Sequence, residues 1–416
     1  MKFIKTPMKG MPEQLPNVME IREYAQNIIK STYSNYGFSL IETPAIEHIE
    51  NLTNKQGGEN EHLIFRILKR GEKLENATNV EDMCDSGLRY DLTVPLSRFY
   101  ANNINVLPMP FKALQIGNVF RADRPQKGRF RQFTQCDIDI LGDESNLAEI
   151  ELICATGDCI SKLNVGNFKI RVNDRRILKQ MALACNFDED KLNDVYIALD
   201  KMDKIGLDGV KGCLVELGLN EQDVETYCNL FTNYTQSNEC KTFLTEKLEG
   251  KIDEDIVENL NNIITTSSKI LNGKGSVVFD PTLVRGMSYY TGPIFEIELE
   301  NYHLSCGGGG RYDEMIGKYC GQKVCACGFS IGFERIVDLL KDSNFKVPSK
   351  PATAFLINKD VSYDKIEKVI AKANQMRQNG EKVMVSPRNK NAKFQKETLT
   401  NLGYDKFIDI YNDTDI

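Results

Sequence analysis

Residues 117–140, GNVFRADRPQKGRFRQFTQCDIDI, gather Arg121, Arg124, Lys127, Arg129 and Arg131 and then reach two carboxylates, Asp137 and Asp139. Pro125 and Gly128 interrupt any helical register inside the basic run, so the stretch is expected to fold as a charged loop between two extended segments. A loop of that charge is expected to face something anionic.

The rest of the chain bounds what that anion can be. A net charge of −7 argues against a protein that coats nucleic acid non-specifically, and leaves room for a local basic patch. With 416 residues there is length for two or three domains, and 9% aromatic with 27% charged residues is ordinary globular composition. The opening MKFIKTPMKG has no apolar signal-peptide core and no run approaches membrane-spanning length. A cytoplasmic, reducing location is therefore expected, with no membrane partner and the twelve cysteines as free thiols. The cluster Cys320, Cys325, Cys327 has no CxxC pair, and the chain has three histidines, His48, His62 and His303. Small buried apolar residues are the preferred reading there, and no metal ligand set is assigned.

Apolar residues Val18, Ile21, Tyr24, Ala25, Ile28, Ile29 and Tyr33 recur at helical spacing before Gly37, which predicts one amphipathic helix. FSLIETPAIEHI reads as a strand interrupted at Pro44, and residues 307–310, GGGG, as a turn into the helix that follows. Between about 175 and 270 the segments become helical and rich in lysine and acid, as in an inserted helical module. A polar stretch at 341–351 marks a linker. Beyond it, ATAFLIN, YDKIEKVIAKANQMRQNG, EKVMVSP, AKFQKETLTNLG and KFIDIY alternate strand and helix, the pattern of a small parallel-sheet domain.

Four separated segments place polar residues beside glycine or an aromatic in strand-like context: LRYDLTVP (88–95), the opening stretch, VRGMSYYTG (284–292) and GFERI (332–336). One such segment is ordinary, but four together point to a shared cleft. Arg121, Arg129, Arg131, Arg285 and Arg335 offer planar charged forks suited to a polyphosphate. Asp91, Asp139, Thr93, Gln135 and Tyr290 offer acceptors and hydroxyls that suit a small zwitterion. There is no GxxxxGK[ST] loop, and the glycine run is not GxGxxG, so neither common nucleotide-binding loop is indicated. At the glycine run, a flexible turn and a close approach of backbone to ligand weigh about evenly.

These segments, in this order, resemble the class II aminoacyl-tRNA synthetases, and among them the histidyl-tRNA synthetase family, over nearly the whole chain. KGMPEQLP (9–16) resembles its N-terminal signature, and the helix–strand segment ending at Pro44 resembles motif 1, which forms the dimer seam. VFRADRPQKGRFRQFTQCDID resembles motif 2 and GFSIGFERI (328–336) motif 3. LVRGMSYYTG resembles a histidine-binding signature of this family, with GGGGRYDEMI (307–316) in support. The implied fold is α+β. It has a class II antiparallel-sheet catalytic domain over 1–342, carrying a helical insertion at about 175–270, and an anticodon-binding-like α/β domain over 351–416.

The resemblance also implies roles. Arg121, Arg285 and Arg335 would be catalytic, the first two at the α-phosphate of ATP and Arg335 at its γ-phosphate end. Phe133 would stack on adenine and Asp123 would accept from its exocyclic amine, with Arg129 and Arg131 completing the ATP set. Asp91, Thr93 and Gln135 would hold the histidine ammonium and Asp139, Tyr289 and Tyr290 its imidazole, with Leu92, Arg285 and Tyr312 also in the histidine-binding set. ATP with Mg2+, histidine, tRNA(His) and a homodimer partner follow from the same resemblance. Ser288 and Ala122 depart from the family pattern, and the chain stops at DIYNDTDI, earlier than that pattern leads one to expect. The alternative readings are a non-catalytic relative serving as regulatory subunit of ATP phosphoribosyltransferase, or a histidine-sensing binding protein. Retention of all three arginines favours the enzyme.

Overall fold

The structure is a computed structural model and describes residues 3–53, 62–79, 82–126, 128–232, 234, 239–248, 250–286, 289–300, 304–348 and 352–415. Ser288 and His303 lie outside the described residues. The chain forms two compact units, Met1–Pro12 with Gln26–Leu339, and Glu13–Ala25 with Leu340–Ile416.

In the first unit the strands are β1 (Ser39–Ile41), β2 (Ile46–His48), β3 (Arg66–Leu68), β4 (Cys84–Leu88), β5 (Phe111–Phe120), β6 (Gln132–Leu141), β7 (Phe168–Asp174), β8 (Ser276–Phe279), β9 (Pro293–Leu299), β10 (Leu304–Arg311) and β11 (Ala326–Ile331). Eight of them form one sheet in the order β1-β5-β6-β11-β10-β9-β7-β8, antiparallel except at its two edges. The basic stretch is a loop between two extended strands, because β5 and β6 pair from Phe111↔Leu141 to Phe120↔Gln132.

Two expectations are corrected. FSLIETPAIEHI is not one interrupted strand: β1 joins the large sheet, while β2 pairs with β4 in a separate three-stranded sheet. Pro44, which has no N–H for a ladder, sits where the chain changes sheets. The run Gly307–Gly310 is not a turn but the middle of β10, paired with β9 and β11.

Side chains alternate along β6. Cys136, Ile138 and Ile140 are at most 2% exposed and enter the core. The helices Leu147–Leu163 and Glu254–Ile270 pack on that side of the sheet, burying Leu152, Ile153, Ile160, Leu260, Ile263 and Ile264. Phe133, Gln135, Asp137 and Asp139 take the other face, since residues two apart share a face of a strand. Between Arg175 and Ile270 the described secondary-structure elements are all helices.

In the second unit β12 (Ala352–Ile357), β13 (Lys382–Pro387) and β14 (Lys406–Ile410) form a parallel sheet in the order β13-β12-β14. The helices Tyr363–Gln378 and Ala392–Thr400 make the crossovers, giving the expected β-α-β-α-β alternation.

Candidate active site

One cleft of about 580 Å³ opens on the polar face of the large sheet, and the four segments singled out in the sequence converge on it. Its lining includes Asp91, Thr93, Arg121, Asp123, Arg129, Phe133, Gln135 and Asp139. Arg285, Tyr289, Tyr290, Tyr312 and Arg335 complete the expected residues found there. Two expected residues are not among the lining. Leu92 is 1% exposed, with its side chain in the core and its carbonyl accepting from Gln115 at 3.1 Å. Arg131 turns back on the loop: its Nε donates to the Asp123 carbonyl at 3.0 Å, and its own N–H to the Gly10 carbonyl at 2.7 Å.

The basic loop is fixed from several sides. Arg121 Nε donates to the Tyr90 carbonyl at 2.9 Å, and its guanidinium lies 5.2 Å from the centre of the Phe133 ring. Arg129 pairs with Asp123 at 2.9 Å. The N–H of Ala122 donates to the Leu63 carbonyl at 2.7 Å, so the backbone there is held whatever side chain it carries.

Asp91, Asp137 and Asp139 are all nearly buried. Burial pushes Asp91 up to about 6, opposed by the Val94 N–H and by Arg121. Burial likewise pushes Asp139 up to about 7, opposed by the Tyr312 hydroxyl and reinforced by Asp91. Asp137 is held well above the usual carboxylate range, by burial first and then by Asp139. Removing a carboxylate from water penalises its charged form, and a nearby like charge adds to the penalty.

Several polar atoms of this cleft have no partner within the chain. Asp91 Oδ1 accepts from the Val94 N–H at 3.0 Å, but its Oδ2 is buried and unpaired. Asp139 Oδ1 accepts from the Tyr312 hydroxyl at 2.5 Å, and its Oδ2 is buried and unpaired. Gln135 Nε2 donates to Asp137 at 3.2 Å, which leaves its Oε1 unpaired. On the other side of the cleft the buried unpaired atom is a donor, Arg285 Nε. Because a buried polar group without a partner costs free energy, this set defines a complement: several donors at one end and an acceptor at the other.

Missing side chains make room for these groups. A Cβ on Gly328 would stand 2.0 Å from Asp139 Oδ1, and one on Gly308 would stand 2.6 Å from the Arg285 guanidinium carbon. The glycine strand is thus a floor on which Arg285 lies, which favours close approach over a flexible turn. Arg285 itself has φ of 66°, a left-handed conformation that costs a non-glycine residue of the order of 1 kcal/mol or more. The tyrosines form an aromatic wall, with ring centres 4.8 Å apart for Tyr289 and Tyr290 and 5.9 Å for Tyr289 and Tyr312. Arg311, beside Tyr312, is clamped to Glu149 at 2.6 and 2.8 Å.

Sequence reasoning noted Asp137 as a carboxylate ending the basic stretch but gave it no role, and it missed Ser330 and Lys204; all three line the cleft. Asp137 was findable, since it shares the period-two phase of Gln135 and Asp139. Lys204 belongs to the inserted helical segment, and no local signal ties it to the sheet.

The family described as histidyl-tRNA synthetase matches residues 10–336 of the chain. A Leifsonia xyli subsp. xyli protein named "Histidine--tRNA ligase" is 40% identical over 98% of this chain and 96% of its own. Among solved structures, the histidyl-tRNA synthetase of Nostoc sp. PCC 7120 aligns with TM-score 0.79 at 26% identity, covering 97% of this chain and 90% of that one. A Bacillus halodurans C protein described as "ATP phosphoribosyltransferase regulatory subunit/histidyl-tRNA synthetase" aligns with TM-score 0.78 over 98% of this chain and 99% of that one. At 20% identity, that match concerns the fold alone.

Proposed function

This chain belongs to the histidyl-tRNA synthetase family and is a ligase that joins histidine to tRNA, and from that premise we propose which of its residues do the work. The reading rests on one observation: the cleft holds unpaired acceptors on Asp91, Gln135 and Asp139 opposite an unpaired donor on Arg285. Histidine offers an ammonium group, an imidazole N–H and a carboxylate, so one molecule can satisfy both ends. Asp91, Thr93 and Gln135 would take the ammonium group. Asp139 and Tyr312, with Tyr289 and Tyr290, would take the imidazole, and a side chain lacking the ring N–H would leave Asp139 unpaired, a strong basis for rejection.

ATP would lie along the basic loop. Arg121 and Arg285 would face the α-phosphate, Arg335 the far phosphate, and Phe133, Asp123 and Arg129 the base and its surroundings. The histidine carboxylate would attack the α-phosphorus and pyrophosphate would leave, giving the mixed anhydride; the attacking carboxylate is already ionised and needs no base. What the chain supplies is alignment and fixed positive charge where negative charge develops. Mg2+ would accompany the nucleotide. Among the described residues no three Asp, Glu, His or Cys side chains cluster as metal ligands. The second unit would serve anticodon recognition. Residues 18–44 would form a homodimer seam, for which a twofold mass in sedimentation is expected and a monomer mass would be a refutation.

The test of the whole reading is amino-acid-dependent exchange of labelled pyrophosphate into ATP, run with each of the twenty amino acids. Exchange with histidine alone is expected. Exchange with a different amino acid, or with none, would overturn it.

The raised carboxylates predict a pH dependence. Asp139 would accept the imidazole N–H best when ionised, so the histidine KM is expected to rise about ten-fold between pH 8 and pH 6, as a group titrating near 7 loses its charge. Histidine's own imidazole titrates in the same window, so the Asp139→Asn protein is the control. A flatter profile in that variant is expected; an equal one would assign the dependence to the ligand. Because the folded-state values lie above the unfolded one, these groups favour the ligand-free fold below about pH 4, and that contribution is lost as pH rises through 6 to 7. Histidine should therefore raise the melting temperature more at pH 8 than at pH 6.

A further inference from the structure

A second polar feature runs sideways across the sheet. Strand pairing sets Asp137 beside Ser330, Ser330 beside Gly308, Gly308 beside Glu296 and Glu296 beside Arg171, so all five positions lie in one row on the cleft face. The far end of this row is outside the cleft lining, yet it is charged where a sheet normally carries apolar residues. Arg285 lies over the gap at Gly308 and gives one Nη to Glu296 Oε2 at 2.5 Å. Glu296 Oε1 in turn receives Arg171 at 3.4 Å. Arg171 is 5% exposed, and its Nε donates to Asp280 Oδ2 at 2.6 Å. Asp280 is 1% exposed, and its other oxygen accepts the backbone N–H and hydroxyl of Thr282 at 2.9 and 2.6 Å.

We propose that Glu296 is the positioning residue for Arg285, and that Arg171, anchored on Asp280, holds Glu296 in place. The inference rests on the role given above to Arg285. An arginine side chain has several free torsions, and a left-handed backbone alone does not aim its fork. Glu296 fixes one Nη, the glycine floor removes one direction of motion, and Nε is left without a partner in the chain. The backbone that delivers Arg285 is held by the same strand, because Asn173, two residues beyond Arg171, donates to the Leu283 carbonyl at 3.0 Å. Asp203, from the helical insertion, also reaches Arg171 at 3.0 Å, but its side chain is 69% exposed. A pair so open to solvent is screened and weak, so the buried Asp280 is the anchor.

The test is a double-mutant cycle on histidine-dependent pyrophosphate exchange, using the full chain, Arg285→Ala, Glu296→Gln and the double variant. Glu296→Gln keeps the size and an acceptor oxygen but loses the charge, and is expected to lower kcat about 30-fold, within the range seen when one charge partner of a transition state is disturbed. Glu296→Asp keeps the charge and is expected to recover part of that loss. In the Arg285→Ala background, Glu296→Gln should cost nothing further, since its effect passes through the missing guanidinium. Losses that multiply in the double variant, or a Glu296→Gln protein of full kcat, would overturn the inference and leave the role of Arg285 standing. Full kcat in Arg285→Ala would remove that role and the inference with it. If Glu296→Gln does not fold, the same cycle with Glu296→Asp decides, on the same criteria.

Discussion

Arg285→Ala is expected to lower kcat for histidine-dependent pyrophosphate exchange by about 100- to 1000-fold, the usual loss when one preorganised donor to developing negative charge is removed. The melting temperature should fall much less. Glu296 keeps Arg171 within 3.4 Å, so losing Arg285 does not strand a buried carboxylate without a counter-charge. Comparing alanine with glycine at this position separates catalysis from folding. With φ at 66°, Arg285→Gly relieves the backbone while Arg285→Ala retains the strain. The glycine variant should be the more stable of the two by about 1 kcal/mol, offset in part by the freedom it adds to the unfolded chain, and equally inactive. Exchange at the unsubstituted rate in either protein would take Arg285 out of the chemistry.

Gly328→Ala should act at the opposite end of the same cleft. The added methyl would sit 2.0 Å from Asp139 Oδ1 and 3.3 Å from a Tyr312 ring carbon. The carboxylate has no easy retreat, because it is buried and tied to the Tyr312 hydroxyl at 2.5 Å. Moving it breaks a charge-assisted hydrogen bond and spoils the acceptor meant for the imidazole, together worth about 3 kcal/mol. The histidine KM is therefore expected to rise about 100-fold, with the ATP KM nearly unchanged. A Gly328→Ala protein that melts normally and keeps its histidine KM would show that Asp139 does not read the imidazole.

Much of this site was legible before any coordinates, for identifiable reasons. Proline and glycine inside the basic run ruled out a helix, which left a loop between strands, and β5 and β6 are those strands. The alternation Phe133, Gln135, Asp137, Asp139 along β6 was present in the sequence but not used, so Asp137 was named without a role. Two residues were misplaced because position in a motif does not say where a side chain points. Leu92 precedes the helix Thr93–Asn103 and turns inward, and Arg131 pairs with its own loop. The glycine run was read as a turn because glycine is a poor strand former on local grounds. The guanidinium that needs the space belongs to Arg285, in the segment between β8 and β9, so nothing nearby in the sequence shows that glycine is required.

The sequence by itself determined the family, most of the strand and helix order, and the set of charged residues available for the chemistry. These are local properties, written in side-chain period, turn residues and motif spacing. Tertiary structure alone decided which residues meet. The row from Asp137 through Ser330, Gly308 and Glu296 to Arg171 draws its members from five strands that are neighbours in space, of which β6, β7 and the β9–β10–β11 group are well separated in the chain. Lateral register is fixed by how whole strands pair and pack. A charged residue on one strand therefore carries no mark of the partner that will hold it until the sheet has formed.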